Sequence, residues 1–156
     1  MIGEKIIESI RSKVPGKQTV SSGWDGMDYL VRVEDFDRYS LVLSEVGLIN
    51  TKRESNTDFE AFKRQAHDLE DRLAYFPERL RLLELDHKEW IALYRSDPPK
   101  RDNGVIEYYE ILYSGGKKIN FFRIVNTKGE KEVVSMVHPD HLLVRLIDDF
   151  AEAVCD

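Results

Sequence analysis

Cysteine is nearly missing from this 156-residue chain, where Cys155 stands alone. One thiol can neither close an intramolecular disulfide nor supply the thiolates of a structural zinc site, so packing must hold the fold, and a reducing, cytoplasmic setting is expected. Long apolar runs are missing too. No stretch is long enough to span a bilayer, and Met1-Ile2-Gly3-Glu4-Lys5 carries an acid early where a secretory leader is continuously apolar, so no membrane partner is expected. Basic residues are in deficit: 23 Lys and Arg against 29 Asp and Glu leave a net charge of −6. Nucleic-acid binding by counterion release needs a concentrated basic face, and the pairs Lys52-Arg53, Lys100-Arg101 and Lys117-Lys118 fall in expected loops and turns, so no nucleic acid is expected. Ser21-Ser22-Gly23 and Ser114-Gly115-Gly116-Lys117 lack the spacing of either phosphate-binding fingerprint, and no cofactor is implied.

What remains is 42% hydrophobic and 33% charged, enough apolar material for a core and too much for a disordered chain. The length fits a single α+β domain over 1–156. Ile2, Ile6, Ile7, Ile10 and Val14 share one side of a helix that Pro15-Gly16 ends. The polar, Gly-rich stretch 17–27 reads as a loop holding an isolated Trp24. Tyr29, Val31 and Val33 alternate with Leu30, Arg32 and Glu34 as in a half-buried strand, and Leu41-Val42-Leu43 opens a second strand, with 46–51 either its extension or a short third one.

Thr57-Asp58-Phe59-Glu60 matches a capping box with Thr57 as the cap, followed by a stripe of Phe59, Phe62, Ala66, Leu69, Leu73 and Phe76 up to Pro77. Residues 79–86 suit a strand or a helix, and strand is the reading taken. A further strand covers 90–95. Residues 96–104, with Pro98-Pro99 and Asn103-Gly104, read as an exposed loop. Strands at 105–114, 119–126 and 132–138 form a meander closed by Pro139, and 140–154 resumes helical spacing. The fold class is therefore α+β: one antiparallel sheet, hairpin plus C-terminal meander, with three α-helices packed against it.

A two-residue turn at Gly115-Gly116 sets Leu112 opposite Ile119, Tyr109 opposite Phe122 and Tyr108 opposite Arg123. One face then carries Tyr108, Leu112, Ile119 and Phe121 with a Glu110/Arg123 pair, and the other carries Tyr109, Ile111, Tyr113, Phe122 and Ile124. Both are apolar, so each needs a cover: the chain's own helices, a second copy, or a ligand.

Few side chains gather as chemistry requires. His138-Pro139-Asp140-His141 is dense in ligand types, but the proline breaks the helical spacing that would bring the two imidazoles together, and Asp140 and Pro139 suit a helix start. No metal is assigned. Asp148 and Asp149 diverge on a helix, and Cys155, next to the end of the chain, is expected to be too poorly held for a nucleophile. Ile119-Asn120-Phe121-Phe122-Arg123 has the aromatics of an RNA-recognition strand without its glycines or charge.

By its order of elements the chain resembles the dimeric secretion-chaperone fold, which implies a protein client and a homodimer. The expected function is thus a non-catalytic protein-binding or self-associating domain with Tyr109, Ile111, Tyr113, Phe122 and Ile124 at its interface. The alternative is a ligand-binding or enzymatic cone with Tyr108, Glu110, Arg123 and His138 facing an apolar cavity.

Overall fold

The computed structural model describes residues 1–24, 26–54 and 58–155, apart from the side chain of Trp24. Among them are helices α1 (Ile2–Arg11), α2 (Phe59–Arg72) and α3 (Asp140–Cys155) and ten strands joined in one antiparallel sheet. Strands β1 (Gln18–Trp24), β2 (Met27–Phe36) and β3 (Ser40–Asn50) precede α2. After it come β4 (Leu80–Asp86), β5 (Ile91–Ser96), β6 (Lys100–Asp102), β7 (Val105–Ser114), β8 (Lys118–Thr127), β9 (Glu130–Val134) and β10 (Met136–Pro139). The α+β class, with helices on an antiparallel sheet, is as the periodicity indicates.

The main strand order is β1-β2-β3-β8-β7-β5-β4. Two strands change the phase of their apolar residues midway. In β3 the buried residues are Leu41 and Leu43, then Val46 and Leu48, and the register against β2 shifts at that point, leaving Ser44 as the extra residue. In β4 the inward set passes from Leu80 and Leu82 to Leu85 across a shift that leaves Leu83 turned out and 52% exposed. A bulge is what allows odd and even residues of one strand to face one core. It also frees a backbone amide: the Leu82 N–H donates to Glu70 Oε2 of α2 at 2.6 Å, so the helix satisfies the bulge it covers.

Several expected boundaries move. Helix α1 stops at Arg11 and Val14 is 84% exposed, because the residue before a proline is pushed out of the helical region. The stretch 17–27 is no loop: β1 pairs with β2 over seven residues, and among its described side chains this edge strand buries only Val20, so it shows no apolar alternation. The presumed loop 96–104 contains β6, which forms a hairpin with β7 through Asn103-Gly104, both at positive φ. The single strand expected at 132–138 is two strands, β9 on β8 and β10 on β3. Thr57 lies outside the described residues; Asp58 is the N-cap of α2, its side chain accepting the Glu60 N–H at 3.0 Å.

The correction with the largest effect concerns the β7–β8 hairpin. Ser114 pairs with Lys118, so the loop has three residues, and the register runs Tyr113 to Ile119, Ile111 to Phe121 and Tyr109 to Arg123. The expected two-residue turn is wrong by one residue. Neighbouring strand ends grip the loop: the Gly115 N–H donates to Trp90 O at 2.7 Å, and Lys117 O accepts from the Asn50 N–H at 2.8 Å. In this register Ile119 and Phe121 lie beside Ile111 and Tyr113, and all four are fully buried.

The buried residues of all three helices form one cluster with this inner face of the sheet. Two tyrosines tie helices to strands: Tyr94 Oη donates to Ala66 O of α2 at 2.7 Å and Tyr113 Oη to Ala153 O of α3 at 2.8 Å. Helix α1 lies so close to α3 that a Cβ on Gly3 would collide with the Val144 carbonyl, and the Gly3 N–H donates to Asp148 Oδ1 at 2.8 Å. Gly3→Ala should therefore lower unfolding stability by roughly 1–3 kcal/mol despite alanine's better helix propensity. Urea denaturation checks this, and an unchanged or raised midpoint would refute the close approach.

Candidate functional site

The sheet forks between β3 and β8. These strands pair only over Val46–Ile49 and Lys118–Phe121; beyond that, β8 takes β9 and β3 takes β10. On the inner face beside this fork an open cleft of about 450 Å³ lies between the segment after α2, β10, β7 and the start of α3. Pro77 ends the helical stretch, and Phe76 and Glu78 on either side of it reach the cleft.

The rings meet edge to face. Phe76 lies 5.0 Å from Tyr109 and 5.5 Å from His138 between centroids, while Tyr109 stacks on Phe121 at 5.5 Å. Arg123 sits against this group at 8% exposure, its guanidinium 4.5 Å from the Tyr109 ring centre. Its Nε donates to Glu107 Oε1 at 2.7 Å and its Nη1 to Glu78 Oε2 at 3.4 Å. Burial works against the guanidinium's charge, but the Glu107 hydrogen bond and the nearby carboxylates outweigh it and hold its pKa above the ordinary value. Burial also raises the Tyr109 phenol.

Three buried polar atoms at this cleft have no hydrogen-bond partner, Tyr75 Oη, Glu78 Oε1 and His138 Nε2. His138 is 5% exposed, and burial, with Arg123 adding to it, lowers its pKa from 6.5 to about 4. The imidazole is therefore neutral at physiological pH, placed for hydrogen bonding and not for proton exchange.

The residues singled out from sequence fall into separate places. Tyr109, Ile111 and Tyr113 are buried on the inner face beneath the chain's own helices, whereas Phe122 and Ile124 point to the opposite face; the five do not share a surface. Of the polar four, Arg123 and His138 come together at the cleft. Tyr108 and Glu110 lie across the sheet with Arg95, whose Nε is 3.1 Å from Glu110 Oε1 and whose guanidinium is 4.8 Å from the Tyr108 ring centre. The expected Glu110/Arg123 pair is thus not formed. Both errors follow from the one-residue slip at the hairpin, which turns every β8 side chain to the wrong side.

Glu107, Phe76 and Glu78 were missed. Glu107 is legible once the register is right, since it lies diagonally across from Arg123 on the same face. Phe76 and Glu78 reach β7 and β8 over long sequence separations, for which no local signal exists. Asp140, read as complementing a helix start, also accepts a two-pronged contact from Arg11. His138 is buried while His141 is exposed.

No protein-family model, curated protein or solved structure matches this chain. The likeness in element order to secretion chaperones accordingly carries no argument about clients.

The depressed His138 pKa fixes the sign of a pH effect. The folded value lies below the unfolded one, so its contribution is fully present above about 6.5 and is lost as pH falls toward about 4. That drop corresponds to about 3 kcal/mol. A His138→Phe variant should lose correspondingly less stability than the parent between pH 7 and pH 4 in urea titrations. Parallel profiles for the two proteins would show that His138 is not held neutral by its surroundings.

Proposed function

We propose that this chain is a non-catalytic binding domain that seats a small organic ligand in the cleft beside the fork. The observation that carries this reading is the pairing of aromatic walls, Phe76 and Tyr109, with three buried polar atoms that lack partners, Tyr75 Oη, Glu78 Oε1 and His138 Nε2. Buried polar groups are nearly always satisfied, and a binding site is a common reason for an exception. The cleft volume is in the range of small-molecule sites. Binding is favoured over catalysis because Arg123 is already matched by two carboxylates and His138 titrates far from neutrality. The test is a screen of small aromatic and aliphatic compounds by amide chemical shifts. Perturbations should gather at Phe76, Tyr109, Val137 and Leu142 and disappear in Leu142→Trp, which fills the cleft; shifts gathering elsewhere would overturn the reading.

A second reading, self-association into a homodimer, rests on a different observation. Leu93, Leu112 and Phe122 lie on the sheet face opposite the helices, outside the main core cluster and only partly buried. Phe122 is flanked by two ion pairs, Arg32 with Glu45 and Arg95 with Glu110. This patch is locally neutral although the chain is acidic, so a second copy could meet it without charge repulsion. Sedimentation at micromolar concentration should then give twice the monomer mass, reduced to the monomer mass by Phe122→Lys. A monomer at all concentrations would remove the dimer and leave this face to a protein client or to solvent.

A further inference from the structure

The ligand's chemical class can be read from the charge around the cleft, an inference that rests on the binding reading above. Arg123 contributes one buried positive charge, and Glu78 and Glu107 contribute two negative charges on the same guanidinium. At the neighbouring wall, Arg145 lies 3.8 Å from the centre of the Tyr75 ring, and Asp148 and Asp149 act on the same phenol. Asp140 at the start of α3 is already matched by Arg11. With His138 neutral, carboxylates outnumber cations here; Arg123 and Arg11 are held by carboxylates, and exposed Arg145 lies over the Tyr75 ring. An incoming carboxylate or phosphate would find the buried Arg123 already committed to two carboxylates and would approach Glu78.

Of the unpartnered polar atoms at the cleft, the carboxylate oxygen of Glu78 carries the complementary charge. Glu78 uses Oε2 on Arg123 and leaves Oε1, a pure acceptor, buried without a donor. Beside it are the rings of Phe76 and Tyr109, an aromatic wall for an apolar body. We propose that the cleft binds an organic amine, its protonated nitrogen donating to Glu78 Oε1 and its apolar body lying against Phe76 and Tyr109. His138 Nε2 lies at the same cleft and takes a second hydrogen bond from the ligand.

Three probes of one shape separate the possibilities by calorimetry on the full chain: phenethylamine, 2-phenylethanol and 3-phenylpropanoate. The amine should bind at least about tenfold more tightly than the alcohol, as expected for one charge-assisted hydrogen bond, and the acid should bind least. Glu78→Gln should weaken the amine at least about tenfold and erase its advantage over the alcohol, and an advantage retained in that variant would overturn the assignment. If that variant does not fold, Leu142→Arg, which adds a positive charge at the rim, should weaken the amine and strengthen the acid. Alcohol or acid binding as tightly as the amine overturns the amine assignment while the ligand site survives; failure of all three to bind overturns both.

Discussion

The register of the β7–β8 hairpin is the constraint on which the rest of the structure depends. A strand repeats every two residues, so moving β8 by one position would turn Ile119 and Phe121 to the outside and bring Asn120 and Phe122 inward. A buried Asn120 would lose Glu45, to which its Nδ2 donates at 3.1 Å, and Arg123 would leave Glu107 and Glu78. The three-residue loop that prevents this is fixed from both sides by backbone hydrogen bonds from the ends of β5 and β3. Core and candidate site are therefore specified by the same few contacts.

Beside this hairpin, the fork creates a place where polar groups can be buried. A sheet that continued β3 against β8 along their full length would leave no room for β10, and His138 enters the inner face only because β10 has moved onto β3. The aromatic side chains around it lower the cost of a buried guanidinium, and Glu107 and Glu78 supply its partners. The compensation is incomplete: one carboxylate oxygen, one imidazole nitrogen and one phenol oxygen are left over at the cleft, and such departures from a fully satisfied interior tend to mark sites with a purpose.

Helices and central strands were legible because their apolar residues recur at 3.6 or at 2. Legibility failed where the physics is not periodic. Strand β1 sits at an edge and buries one of its described side chains, so nothing repeats; β6 is three residues long, and its real signal was the Asn103-Gly104 dipeptide. The phase change between Leu43 and Val46, which made one strand look like two, is itself the mark of a bulge. At the site, Arg123, His138 and Tyr109 stood out by type, but their meeting depended on a turn length that Gly115-Gly116 alone does not determine. Phe76 and Glu78 belong to contacts made only after the sheet is assembled.

The hairpin register is open to direct measurement by backbone nuclear Overhauser contacts across β7 and β8. Pairing of Ile111 with Phe121 and of Tyr109 with Arg123 is the expected pattern. Contacts placing Ile111 opposite Asn120 and Tyr109 opposite Phe122 would contradict it, and with it the assembly of Arg123, Glu107 and Glu78 beneath the cleft.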